Sequence, residues 1–425
     1  MMKGKVTMLI PALLVAAQGF AQWTLKECYE KAEANYPLIR QYGLLEQTKG
    51  YTLENIATNY LPKFTLGSQA TYQSDVTTLP VDFKALGIPV DIPSVSKGQY
   101  KVVADVSQAI WDGGQTAAQR SIAKAANEVE KKRTDVSLYA VREKVRQLFF
   151  GILAVNERLK ILDLKEADLH SNQSVLEALL KNGTAMQSDL DRIRIARLQL
   201  EQSRTEQAET QKAFCRALSL FIRQEVSGPE ALVKPSPAML PQKEGLVSRP
   251  ELRLFEAQTL LIEKHSGAIT ARLRPVVSLF AQGGYGRPGL NMLEESAGFF
   301  ALGGLRLSWN FGNFYTRKNE QRILQSNIRS IDLQRETFLL NTQLQLTQDQ
   351  AEVEKNRRLL LRDEEIVGLR ERIKQAGESK YKNGVYTLHE LLQDINAEEE
   401  ARQTKALHEI QYLLHIHNYL HTEGE

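Results

Sequence analysis

The sequence has 425 residues, with 54 Lys and Arg against 51 Asp and Glu and a net charge of +3. This near balance gives no basic footprint for nucleic acid, and two cysteines are too few for a disulfide-held scaffold. Size alone would suggest two or three globular domains, but Gln, Glu, Arg, Lys, Leu and Ala dominate while Pro and Gly cluster in a few short places, which is the composition of long helices.

The chain opens with Lys3 and Lys5, an apolar run from Met8 to Ala17, and the small-residue stretch Gly19-Phe20-Ala21. Residues 1–21 therefore read as a secretory signal peptide: the run is roughly 10 residues, where a membrane-spanning helix needs about 20. No later segment approaches that length, so no transmembrane helix is expected in the mature chain. Cys28 follows Lys26 and Glu27 rather than small residues, which argues against a lipid-anchored start. Cys28 and Cys215 read as buried unpaired thiols, with a bridge open if the ends of their helices meet.

The sequence repeats itself. Asn35-Tyr36-Pro37-Leu38-Ile39-Arg40 parallels Ser248-Arg249-Pro250-Glu251-Leu252-Arg253, and at the same offset Pro62 falls on Pro275. Lys181-Asn182-Gly183 parallels Lys382-Asn383-Gly384 at a second, shorter offset, which also places Leu190 on Leu391. The difference lies in the longer loop from Ser74 to Gln99. A stretch at 226–245, with Pro229, Pro235, Pro237 and Pro241, reads as a linker between repeats at 22–225 and 246–425. Each repeat predicts a helix of about 30 residues ending at a proline, two strands, a helix of nearly 70 residues running to an Asn-Gly, and a helix of about 40.

In the first long helix Val141, Leu148, Val155, Leu162, Leu169 and Leu176 form a row spaced by seven, with Leu138, Val145, Ile152 and Leu159 beside it. In the second, Leu339, Leu346, Val353, Leu360 and Val367 do the same, flanked by Leu359, Ile366 and Ile373. Such periodicity marks a coiled-coil seam, and at 1.5 Å per residue a helix of about 68 residues is roughly 100 Å long. The two shorter helices of a repeat match that length end to end, which predicts a layer of rods.

Four segments within 60–111 and 274–311 alternate with period two. Phe64, Leu66, Ala70 and Tyr72 oppose Thr65 and Gln69, and Val102, Ala104, Val106 and Ile110 oppose Lys101, Asp105 and Ser107. Val277, Leu279, Ala281 and Tyr285 oppose Ser278 and Gln282, and Ala301, Leu305, Leu307 and Trp309 oppose Gly304, Arg306 and Ser308. The lengths suit tilted transmembrane strands, with Lys101, Asp105, Gln282 and Arg306 on the lumenal face. Tyr60, Trp111, Trp309 and Phe311 mark one aromatic girdle and Tyr72, Tyr100, Tyr285 and Phe299 the other. Four strands cannot close a barrel, so an oligomer is required; a dimer, trimer or tetramer satisfies the arithmetic.

The order helix, hairpin, very long helix, Gly-containing tip, helix, given twice, resembles the TolC-type outer-membrane efflux family over essentially the whole mature chain. The similarity rests on Trp23-Thr24-Leu25-Lys26-Glu27-Cys28, the strand starts Tyr60-Leu61-Pro62 and Arg274-Pro275, the strand exits Ile110-Trp111-Asp112-Gly113-Gly114 and Trp309-Asn310-Phe311-Gly312, and the tips Gly183 to Leu190 and Gly384 to Leu392. It implies a mainly α protein with a membrane β-barrel portion: a homotrimer whose 12-stranded barrel in outer-membrane lipid continues into an α-barrel of antiparallel coiled coils reaching through the periplasm of a Gram-negative bacterium. It also implies a passive conduit for tripartite efflux or type I secretion, docked to a periplasmic adaptor and an inner-membrane pump of RND or ABC type.

In that family an acidic pair three positions apart follows the second tip and rings the entrance. The matching positions here are Glu390 and Gln393, with Asp394 adjacent, so the pair is half kept. Arg192 and Arg194 lie at the equivalent depth of the first repeat and are the available partners of Glu390. Adaptor docking falls on Asn182, Gly183, Thr184, Ser188, Asn383, Gly384, Val385 and Thr387.

No nucleophile motif, phosphate loop or zinc spacing suggests an enzyme, a cofactor or a metal. His417 and His421, one helical turn apart, are the nearest approach to a ligand pair. The competing function is a periplasmic coiled-coil adaptor or scaffold without a membrane barrel.

Overall fold

The computed structural model describes residues 22–77, 87, 96–183, 185–237, 247–292 and 294–425. The signal-peptide assignment at 1–21, the last residues of the linker from 238 to 245, and Thr184 lie outside the described residues. The elements in chain order are α1 (Leu25–Asn35), α2 (Gln41–Ala57), β1 (Lys63–Tyr72), β2 (Gly98–Trp111), α3 (Gln115–Lys181), α4 (Gln187–Ile222), α5 (Pro250–Arg272), β3 (Val276–Arg287), β4 (Gly298–Ser308), α6 (Asn313–Lys382) and α7 (Leu388–Glu423). Helix predominates, and no described helix is long and apolar enough to cross a membrane.

Two compact units emerge, each drawing on both halves of the sequence. One comprises Ser137–Ser248, Asn341–Glu425 and the described residues up to Ile39; the other comprises Arg40–Val136 and Arg249–Leu340.

The first unit is helical and holds a core in which Phe149, Phe150, Ile152 and Val145 of α3 meet Leu25, Cys28 and Ala32 of α1, Cys215, Leu218 and Ile222 of α4, and Ile410 and Leu413 of α7. Both cysteines sit in this core as free thiols. Burial pushes the Cys28 thiol up to about 12 and the Cys215 thiol upward as well, which leaves both as inert, protonated packing groups.

Along α3 most of the predicted seam is buried: Val141, Val155, Leu162, Leu169 and Leu176 in one row and Leu138, Val145 and Ile152 in the other, with Leu148 and Leu159 half-buried. On α6 only one row follows expectation. Leu346, Val353 and Val367 are buried, but Ile366 and Ile373 are exposed. Their place is taken by a row of polar residues spaced by seven, Thr342, Asp349, Asn356 and Asp363, all buried. The two aspartates find partners on α7: His408 Nδ1 lies 2.6 Å from Asp363 Oδ2 and His415 Nδ1 lies 3.5 Å from Asp349 Oδ1, while Asn356 Nδ2 donates to the Glu352 carbonyl of α6 at 2.8 Å. Polar groups in a heptad seam lower stability but fix which register two helices adopt.

The opening helix of about 30 residues is divided. Tyr36, with φ −66° and ψ 132°, ends α1, because the ring of Pro37 clashes with helical backbone in the residue before it. A single 3₁₀ turn, Pro37–Arg40, then leads into α2. Thr24 starts α1 with a reciprocal cap: its N–H donates to Glu27 Oε2 at 2.8 Å and its hydroxyl accepts from the Glu27 N–H at 3.3 Å.

The second unit carries one antiparallel sheet in the order β1-β2-β3-β4. The hairpin from each half joins the other through β2 and β3, in a register that places Asp105 opposite Gln282 and Val102 opposite Tyr285. A bulge between Ala109 and Trp111 takes Ile110 out of that register. Among the described residues β1 and β4 each pair on one side only.

Candidate functional site

Two regions carry the predicted functional residues, the sheet and the paired helix turns. In the sheet, successive residues point to opposite faces, and the register decides which residues share one. Leu66 lies opposite Ala104, Val106 opposite Ala281, and Leu279 opposite Leu305. That face also presents Phe64, Leu307 and Phe299, with Ser68 and Gln108 as polar exceptions and Arg287, opposite Tyr100, at its end. It is open along the chain: Phe64 is 78% exposed, Leu66 77% and Leu305 69%. An apolar face this continuous is not stable against water without a cover.

The aromatic residues stand at its two ends. Tyr72 and Phe299 are exposed at one end, where the Tyr285 and Phe299 rings lie 4.8 Å apart. At the other, the Trp309 and Phe311 rings lie 4.7 Å apart. The polar tips there turn toward the helices: the Tyr60 hydroxyl donates to Asp112 Oδ1 at 2.8 Å, and Trp309 Nε1 donates to the Leu273 carbonyl at 2.9 Å. Asp112 also accepts from the Thr116 N–H at 2.6 Å and the Gly114 N–H at 2.9 Å, so the Trp-Asp-Gly-Gly exit ties strand end, girdle tyrosine and the start of α3 together.

Lys101, Asp105, Gln282 and Arg306 share the opposite face, and Gln282 Nε2 donates to Asp105 Oδ1 at 2.6 Å. That face is less uniformly polar than the sequence pattern suggests. Phe280, opposite Gly304, and Phe300, opposite Gly284, lie on it too, and the Arg306 guanidinium sits 4.6 Å from the Phe280 ring centre. The sequence hides this because neighbouring Phe299 and Ala301 already satisfy the apolar alternation.

The two turns have the same construction. After α3 and after α6 an Asn-Gly pair reverses the chain, with Gly183 and Gly384 both at φ +72°, a conformation glycine adopts without steric cost. Gly183 N–H donates to the Leu180 carbonyl and Gly384 N–H to the Tyr381 carbonyl, each at 3.0 Å. The structure brings the two turns together over Leu176, Ile193, Tyr381, Leu388, Leu391 and Ile395. Ser188 and Val385 are exposed there, as are Asn182 and Asn383.

Two of the predicted entrance and docking residues prove to be occupied by helix-end chemistry. Thr387 is the cap of α7: its N–H donates to Glu390 Oε2 at 2.7 Å and its hydroxyl accepts from the Glu390 N–H at 3.3 Å. The backbone and hydroxyl of Thr387 hold the Glu390 carboxyl below its ordinary pKa. Arg192 and Arg194 are exposed on α4, and among the described residues of this chain neither pairs with Glu390, whose carboxyl is held by Thr387. The spacing Thr387-Leu388-His389-Glu390 could have shown this, as it is the same Thr-x-x-Glu signature as at Thr24. Asp394 is half-buried with Oδ2 lacking a hydrogen-bond partner, and that oxygen lies 2.6 Å from where a side chain on Gly377 would begin. Gln393 is exposed.

Further along the same helices an ion-pair network ties α3, α6 and α7. Lys374 Nζ lies 2.9 Å from both Asp168 Oδ2 and Glu398 Oε2, and Arg402 Nε donates to Glu398 Oε1 at 2.6 Å. Lys165 pairs with Glu399 beside it. Glu398 is only 4% exposed. Burial alone would raise its pKa, but the hydrogen bonds from Lys374 and Arg402 outweigh it and hold the carboxyl below the ordinary value.

Among the described residues no group of three or more His, Cys, Asp and Glu could hold a metal ion. His421 stacks on Tyr139 with ring centres 4.3 Å apart, and His417 lies 5.5 Å from the Phe150 ring.

No protein-family model and no curated protein sequence matches the chain. Solved structures do. The outer membrane protein VceC of Vibrio cholerae superposes over 94% of this chain and 96% of its own with a TM-score of 0.65 at 13% identity. The outer-membrane channel OprN covers 94% and 89% with a TM-score of 0.65 at 16% identity. The outer membrane channel MtrE of Neisseria gonorrhoeae, in its open state, covers 94% and 88% with a TM-score of 0.62 at 13% identity. The chain has the fold of the TolC-type outer-membrane efflux channels.

Proposed function

We propose that the chain is one subunit of a trimeric outer-membrane channel, a passive conduit in a tripartite efflux or type I secretion system, driven by an inner-membrane pump through a periplasmic adaptor. The observation that carries this reading is the sheet with one exposed apolar face, aromatic ends and two open edges. Unpaired edge N–H and C=O groups cannot be left in lipid, and eight strands are the minimum for a bacterial barrel. Pairing β4 of one copy with β1 of the next satisfies every edge, and three copies give the 12 strands of the fold it resembles. Residues 22–225 and 246–425 are then two repeats of one unit joined by a linker at 226–245, and the polar face lines the lumen.

On this reading the turns stand at the periplasmic end, with Glu390, Gln393, Asp394, Arg192 and Arg194 at the entrance. The purified oligomer should conduct ions in planar bilayers, and Glu390→Gln should weaken its preference for cations, since like charges around a narrow axis attract them. A protein that inserts but never conducts would refute the channel. The exposed turn residues form the adaptor surface. Because Thr387 is a cap, the clean test is Ser188→Trp, which should abolish efflux at an unchanged amount of oligomer; normal resistance in that mutant would remove the docking assignment.

A further inference from the structure

We propose that the polar face of the sheet holds a binding cleft for amphiphilic organic anions, in which the Lys101 ammonium receives the anionic group and Phe300 and Leu302 support the apolar body. This rests on the reading of that face as a channel lumen, which gives passing solutes access to it.

The cleft has a volume of about 420 Å³ and lies at the end of the sheet that carries Tyr72 and Tyr285, a size suited to a small organic molecule. Its floor is apolar against the trend of the face. The Phe300 ring comes within 2.7 Å of where a side chain on Gly284 would begin, so glycine lets it lie down on the neighbouring strand. Leu302 beside it is 38% exposed. Leu290 and Met292, from the stretch after β3, also line it.

The charged groups on its walls are both cations, Lys101 and Arg287, and no carboxylate is among the lining residues. Arg287 is already committed, with Nη2 donating to Glu295 Oε1 at 2.6 Å and Nε to the Glu295 carbonyl at 3.1 Å. Asp105, the nearest acid along β2 from Lys101, is engaged by Gln282. Lys101 itself has no hydrogen-bond or ion-pair partner among the described residues. Amides complete the walls: Gln73 and Gln99 are bonded to each other at 3.2 and 3.3 Å, and Gln69 adds another. One free ammonium, neutral amides and an aromatic floor favour a carboxylate or sulfonate on an apolar body over a cation or a polyanion.

The test uses the full-length oligomer in detergent with dansylglycine as probe and uncharged dansylamide as its control, followed by fluorescence titration. Saturable dansylglycine binding is expected, weakened about tenfold by Lys101→Gln, the loss of one charge-assisted hydrogen bond. Phe300→Ala should weaken both probes, while Lys101→Gln should leave dansylamide unchanged. Equal dansylglycine affinity in wild type and Lys101→Gln, or no saturable binding, would overturn the cleft. Bilayer recordings separate the two readings: an oligomer that conducts but does not bind the probe loses the cleft and keeps the channel, and one that binds through Lys101 but never conducts keeps the cleft and loses the channel.

Discussion

Leu66→Arg is expected to destabilise the assembled oligomer by about 2–4 kcal/mol, the cost of an arginine facing lipid near the bilayer midplane. Leu66 lies midway along β1 between Tyr60 and Tyr72, opposite Ala104, and is 77% exposed on the chain. On a water-facing strand the same change at so exposed a site would fall within about 0.5 kcal/mol, so the sign of the environment is read directly. Thr65→Arg places the same charge one residue away on the opposite face, across from Asp105, and should be tolerated. The readout is the temperature at which the unboiled oligomer dissociates. Equal behaviour of the two variants would mean that neither face meets lipid.

Lys374→Met should cost about 3 kcal/mol, because it leaves Glu398 buried without its main cation and strips Asp168 of its partner. The pH dependence follows from two opposite shifts. Glu398 is held below its ordinary pKa, so its contribution is present above the unfolded value near 4.3 and is lost as pH falls through the folded one. For Lys374, burial pulls the pKa down, but the hydrogen bonds it donates to Glu398 and Asp168 outweigh it and raise it. Its contribution is present below the unfolded value near 10.4 and is lost as pH rises through the folded one. Thermal melts of the wild type should therefore soften below about pH 4, and those of Lys374→Met should be lower at neutral pH with a flatter acid limb. A variant melting with the wild type at pH 7 would show that the network is not a structural tie.

Local and periodic features were the readable part of the chain. The row from Val141 to Leu176 becomes a buried seam because seven-residue spacing is a property of the helix itself. The strands were legible for the same reason at period two, and the Asn-Gly turns because only glycine takes their positive φ without strain. Pro37 should have divided the first helix, since its effect on Tyr36 is local, yet the helical pattern on either side concealed it.

What escaped was set by distance along the chain. Lys374 and Asp168 stand 206 residues apart in sequence, and on a helix rich in charges nothing marks that lysine from its neighbours. The buried row Thr342, Asp349, Asn356 and Asp363 keeps the heptad spacing but reverses its polarity, so a search for apolar stripes passes over it to Ile366 and Ile373, which stay exposed. Glu390 was visible as an acid after the second turn, but its bond to Thr387 gives it a structural duty that an alignment of repeats does not show. Phe280 and Phe300 sit on the polar face because a glycine on the next strand accommodates each, a pairing that only the register reveals.

The number of subunits in the native protein in detergent tests the central claim most directly, because four strands with two open edges have no stable membrane form alone. Native mass measurement on the unheated protein should give a single species of three chains, converting to one chain on boiling. A monodisperse monomer that retains its β-sheet signal would contradict barrel closure and the channel with it.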